Sequence, residues 1–127
     1  MTTQKVPPGR ARESAAEAWT AANEVRLVGR VSRPPERREL PSGDEVWTFR
    51  VVVPRVRSER SRQSVDALEC AAWSARARRS VRGWSAGDVV EVSGALRRRF
   101  FRAGGAASSR VEVEMTGGRV IRRAGSG

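Results

Sequence analysis

The sequence predicts an all-β fold: a small five-stranded barrel with one short helix between the third and fourth strands, and a fourth–fifth strand hairpin that projects from it. Three observations carry this. Apolar and polar residues alternate with a period of two over several short runs from Asn23 onward. Clusters of Pro, Gly and Ser separate those runs. One stretch, and only one after Asn23, changes to helical spacing, with Ala77, Val81 and Trp84 at i, i+4 and i+7.

The chain opens on MTTQKVPPGRARESAAEAWTAA, which is polar, alanine-rich and broken by Pro7-Pro8-Gly9. Residues 1–22 are expected to form a flexible extension, because a helix over 13–22 is too short to hold alone, and Trp19 is a candidate docking residue. Residues 23–123 form the folded domain and 124–127 a short tail. In VRLVGRV, Val25, Leu27, Gly29 and Val31 share one face and Arg26, Val28 and Arg30 the other. Turn signals follow at Pro34-Pro35 and Pro41-Ser42-Gly43-Asp44. VWTFRVVVPR then sets Trp47, Phe49, Val51 and Val53 against Thr48 and Arg50. The charged, serine-rich 56–64 reads as a flexible loop, and VDALECAAW as the third strand, with Leu68, Cys70 and Ala72 inward.

After the helical stretch, Gly87-Asp88 starts the fourth strand, VVEVSGALRRRFF, with Val90, Val92 and Leu96 toward the core. A glycine-rich loop over 103–109 leads to RVEVEM, where Val111, Val113 and Met115 point in and Glu112 and Glu114 out. Since Leu96 is the last core-facing residue, Arg97 onward extends past the barrel as an arm wetted on both sides. This order of elements is that of an OB-type barrel.

Composition narrows the function. Basic residues number 25 against 14 acidic ones, for a net charge of +11, which favours a polyanionic partner, above all nucleic acid. There is no histidine and a single cysteine, Cys70, on an apolar face, so an internal disulfide is excluded and metal or acid–base chemistry lacks its commonest residues. Asp88 and Glu91 have no partner base, and GGAASS lacks the Gly-Lys-Ser/Thr of a phosphate loop. No cofactor, metal or catalytic activity is expected. No apolar run approaches membrane-spanning length and no secretory signal is visible, so the cytoplasm is the expected setting.

The ordered pieces NEVRLVGRVSRPPERRELPSGDEVWTFRVVV, VDALECAAW and RGWSAGDVVEVSGALRRRFF resemble the bacterial single-stranded DNA-binding protein family over about residues 23–122. The first piece resembles the family's opening strand, short return strand, Pro-x-Gly turn and second strand. The resemblance implies an OB-fold, single-stranded DNA as ligand in replication, recombination or repair, and a homotetramer or dimer. Aromatics that the family carries near Arg57 and Ala67 are missing, and the chain ends at RRAGSG without an acidic tip. It therefore reads as a divergent, tailless paralog or as a shortened form of a tailed one. Two other functions stay open: an OB-fold accessory protein of replication restart that binds replication or repair proteins, and an RNA-binding OB module.

The candidate contacts follow. Trp73 lies on the less apolar face of its strand and, by resemblance, stacks a base. Phe101 shares a face with Arg97 and Arg99 and aligns with another stacking position, whereas Phe100 shares a face with Leu96 and is expected to pack at the barrel rim. Arg97, Arg99 and Arg102, with Arg50, Arg55 and Arg57 beside or in the long loop, are candidate phosphate contacts, offset in part by pairing of the arm with Glu112 and Glu114. Trp47 is a candidate contact with packing as its stronger reading, and Trp84 is expected in the core.

Overall fold

The computed structural model describes residues 18–56 and 64–125. Its elements in chain order are β1 (Val25–Val31), β2 (Glu36–Glu39), β3 (Glu45–Pro54), β4 (Val65–Ala72), α1 (Ala75–Val81), β5 (Val89–Ala103) and β6 (Ala106–Arg122). Strands β1, β5, β6, β4 and β3 form a closed ring, which is the expected five-stranded barrel. The short return strand implied by the resemblance is β2, a sixth strand outside the ring. It pairs with β3 from Glu36↔Thr48 to Glu39↔Glu45, and all four of its residues are exposed and charged, which protects that sheet edge.

Two short seams complete the ring. Antiparallel β1 and β3 meet only at Arg30↔Val52 and Val31↔Val51, and parallel β4 and β6 only at Cys70↔Val113 and Ala71↔Glu114. At the first seam the backbones approach so closely that a Cβ on Gly29 would lie 2.4 Å from the Val52 carbonyl oxygen. Only glycine fits there.

The inward faces supply the core. Val31, Phe49, Val51, Cys70, Val90, Val92, Val113 and Met115 are buried inside the ring, and each fully buried valine contributes roughly 1.5–3 kcal/mol relative to exposure. Helix α1 starts where Ser74 Oγ accepts the Ala77 N–H at 3.1 Å, and it turns Ala77 and Val81 inward. Trp84 follows and meets Phe49 edge-on at 5.3 Å between ring centroids, so the helical stripe is core, as its spacing predicts. Cys70 is 2% exposed, and burial first, then the charges of Glu69 and Glu112, push its thiol pKa up to about 12, so it is inert packing.

Asp88 closes the turn between α1 and β5. Its carboxylate accepts the N–H groups of Ser85 and Ala124, both at 2.8 Å, and Arg123 Nη1 at 3.0 Å. The C-terminal end of β6 is thereby fastened to the barrel.

Four expectations change at the far end of β5 and β6. β1 leaves β5 at Val25↔Gly94 and β4 leaves β6 at Cys70↔Val113, opposite Leu96; beyond that point the two strands continue alone to Ala103↔Ala106 as a ribbon, the arm. The core therefore ends at Val92 on β5 and at Val113 on β6: Leu96 and Val111 point the expected way but are left half uncovered, 48% and 47% exposed. Phe100 is 77% exposed and does not pack at the rim. Glu112, expected outside, is buried. The loop expected over 103–109 is a two-residue turn, Gly104-Gly105, with φ of +60° and +83°, a pair of left-handed conformations that suits a tight hairpin.

Candidate nucleic-acid interface

Directly opposed residues of an antiparallel pair share a face. The register Arg97↔Glu112, Arg99↔Arg110 and Phe101↔Ser108 defines one face of the arm. Leu96↔Val113, Arg98↔Val111, Phe100↔Ser109 and Arg102↔Ala107 define the other.

The first face is organised around Glu112. Arg99 Nε donates to its Oε2 at 3.0 Å, and Arg110 Nε lies 3.8 Å from its Oε1. Arg99 also reaches Glu114 Oε1 at 3.3 Å, an oxygen that accepts Arg97 Nε at 2.8 Å. The two arginines on Glu112 then each cover an aromatic ring. The Arg99 guanidinium lies 5.2 Å from the Trp73 ring centroid, and that of Arg110 lies 5.4 Å from the Phe101 centroid. Such cation–π contacts are worth about 0.5–1 kcal/mol where exposed and more where water is excluded.

The result is one continuous ladder: Trp73, Arg99, Glu112, Arg110, Phe101. Trp73 follows β4 where the chain turns into α1; it is half-buried, and its Nε1 is enclosed without a hydrogen-bond partner among the described residues. Arg97, Arg99 and Arg110 face two carboxylates here, so this side of the arm keeps a positive surplus.

Of the residues singled out in the sequence, the fold gathers Trp73, Arg97, Arg99 and Phe101 on this face. Arg102 lies on the opposite face near the tip, where its Nη1 donates to the Gly105 carbonyl at 3.3 Å. Arg50 and Arg55 lie along β3 and its end, each bound to an acid across the sheet: Arg50 Nε to Glu69 Oε2 at 2.6 Å and Arg55 Nη2 to Asp66 Oδ1 at 2.8 Å. Trp47 lies on the inner side of β3, packs against the core and donates its Nε1 to Glu45 at 3.0 Å. That hydrogen bond, together with Arg37, holds the Glu45 carboxyl below its usual range. Arg57 lies outside the described residues.

Three residues of the arm escape the sequence patterns. Glu112 reads as an outward residue in a clean alternation, and Arg110 only as the first residue of the last strand, with no role of its own. Asn23 clamps the arm's root, with Nδ2 donating to the Leu96 carbonyl at 2.8 Å and Oδ1 accepting the Leu96 N–H at 2.9 Å. The one legible signal for Glu112 is the excess of arginines opposite it. Among the described residues, no group of His, Cys, Asp and Glu could hold a metal ion, and no helix is long and apolar enough to cross a membrane.

Comparison with known proteins agrees with this architecture. Residues 22–120 match the model of the single-strand binding protein family. Single-stranded DNA-binding protein A of Bacillus subtilis is 33% identical over 80 residues, which are 62% of this chain and 46% of that protein. The single-stranded DNA-binding protein of Oceanobacillus iheyensis is 32% identical over 80 residues, 62% of this chain and 50% of its own. Single-stranded DNA-binding protein 1 of Lactococcus lactis is 30% identical over 80 residues, 62% and 53% respectively. The chain thus spans about half the length of the curated relatives it matches. The ringed barrel, its arm and a family match that covers most of the chain lead to one conclusion: the chain belongs to the single-strand binding protein family.

Proposed function

We propose that this domain binds and protects single-stranded DNA without reading its sequence, during replication, recombination or repair in the bacterial cytoplasm, and that it acts by binding alone. The observation that carries this reading is the ladder from Trp73 through Arg99, Glu112 and Arg110 to Phe101. It alternates planar cations with aromatic rings on a surface of positive surplus. Phosphates compete with Glu112 and Glu114 for Arg97, Arg99 and Arg110, while bases stack on the rings or on the guanidinium planes that cover them. Every base offers a π-face, so stacking of this kind tolerates any sequence. The names of the relatives support DNA as the ligand. We place the active form as a homotetramer or dimer, on family resemblance.

Quenching of tryptophan fluorescence by oligo(dT), titrated at two salt concentrations, tests the reading. Log affinity should fall with log salt by about 0.7 per phosphate neutralised. Trp73→Ala should weaken binding by about 1–3 kcal/mol. A flat salt response, or tighter binding to duplex than to single strands, defeats the proposal. Tighter binding to a matched RNA oligonucleotide redirects it to RNA, and mass measurement in solution decides the assembly.

A further inference from the structure

The arm's second face differs from the first in every respect that matters for contact. Phe100 is 77% exposed, whereas Phe101 is 40% exposed and already covered by Arg110. Among the described residues, Arg98 and Arg102 are held only by neutral oxygens, Ser109 Oγ at 3.2 Å and the Gly105 carbonyl at 3.3 Å. Both carboxylates of the arm, Glu112 and Glu114, belong to the Trp73 face and are spent on Arg97, Arg99 and Arg110. Nearer the barrel the same surface continues as half-exposed Leu96 and Val111.

From these observations we infer that the arm grips a single strand on both sides, and that the face turned away from Trp73 supplies a base platform, Phe100, with Arg98 and Arg102 on the flanking phosphates. The inference rests on the single-strand reading and extends it to a surface that reading does not use. Arg98, Phe100 and Arg102 succeed one another along one strand face at about 7 Å intervals, cation, aromatic, cation. Among the described residues a phosphate meets no competing carboxylate there, so binding breaks none of the described ion pairs. A base meets a ring with no cation above it. Charge also selects the occupant. A second copy of the same face would bring Arg98 and Arg102 against like charge with no acid to relieve it, whereas a polyanion complements the whole row.

The test is the polarisation of a 5′-fluorescein oligo(dT) titrated with the full chain at two salt concentrations, with the mass of each variant measured alongside. Phe100 is exposed on the arm, so Phe100→Ala should keep the fold by circular dichroism. It should weaken binding about tenfold or more while leaving the salt slope unchanged. The pair Arg98→Ala with Arg102→Ala should flatten the slope by about 1.4, two phosphates at about 0.7 each. Phe101→Ala should lose less than Phe100→Ala. Wild-type affinity and slope in both the Phe100 and the arginine variants, with the unsubstituted chain binding normally, overturns the inference and spares the single-strand reading. Failure of the unsubstituted chain to bind overturns both. A loss of affinity by Phe100→Ala that appears only with a smaller assembly assigns Phe100 to self-association and also overturns it.

Discussion

Asn23 pairs with the backbone of Leu96 as a strand residue would, giving one hydrogen bond and accepting another through its side-chain amide. It takes over where β1 stops pairing with β5 at Val25↔Gly94, and so braces the root of the arm. Asn23→Ala should lower stability by about 1 kcal/mol. Hydrogen exchange at the Leu96 amide should quicken while that at Val92 stays protected. Unchanged exchange at Leu96 refutes the bracing role.

Glu112 restrains the arm's cations as well as ordering them. Glu112→Gln leaves an acceptor in place and removes the charge that competes with phosphate for Arg99 and Arg110. Affinity for a single-stranded oligonucleotide should rise, and the salt slope should steepen by about 0.7. Thermal stability should fall by about 1–3 kcal/mol, because a buried charge-assisted contact is lost. Weaker binding at low salt contradicts this account.

The seam between β1 and β3 depends on Gly29. In Gly29→Ala the new methyl group would meet the Val52 backbone oxygen first and the Val51 side chain next, and the backbone oxygen cannot swing away, so strands must separate. The expected cost is about 1–3 kcal/mol, read as a lower denaturant midpoint with little change in slope. A neutral substitution would show that the seam is more open than described.

Asp88 makes stability depend on pH at the acid end. Burial opposes its charge, but the N–H groups of Ala124 and Ser85 and the Arg123 guanidinium outweigh that and hold its pKa below the ordinary 3.8. The folded pKa is thus the lower one, so the contribution is complete above about 3.8 and is lost as pH falls through the folded value. Asp88→Asn should destabilise by about 1–3 kcal/mol at neutral pH and flatten the acid limb of the unfolding curve. Parallel acid limbs in the two proteins would exclude Asp88 as the titrating group.

The barrel is legible in the sequence because each of its residues has one inside and one outside. Alternation finds Phe49, Val51, Cys70 and Val92, and the i, i+4, i+7 stripe finds Ala77, Val81 and Trp84. The same logic reads Leu96, Val111 and Phe100 as covered, since it cannot see that β1 departs at Gly94 and takes the inside with it. In a two-stranded ribbon burial is decided by what side chains find across the register. Glu112 is buried where Arg99 and Arg110 converge on it and Arg99 in turn lies against Trp73, a long-range arrangement with no local pattern. Trp73, Arg97, Arg99 and Phe101 are legible as a group because parity places them together, and parity persists where the core does not.

The ring's topology also has a kinetic side. β1 leaves the ribosome first, yet its partners are β3 and, across most of its length, the much later β5. The barrel cannot close during early synthesis; β1 can meet β3 only at Arg30 and Val31, and the rest of its length must wait until Val89–Gly94 has been made and can reach back to it. Closure is therefore a late, non-local event, of the kind that places all-β domains among the slower small folders. The charges of Arg26 and Arg30, which alternate with its apolar residues, keep that waiting strand in water and away from its neighbours.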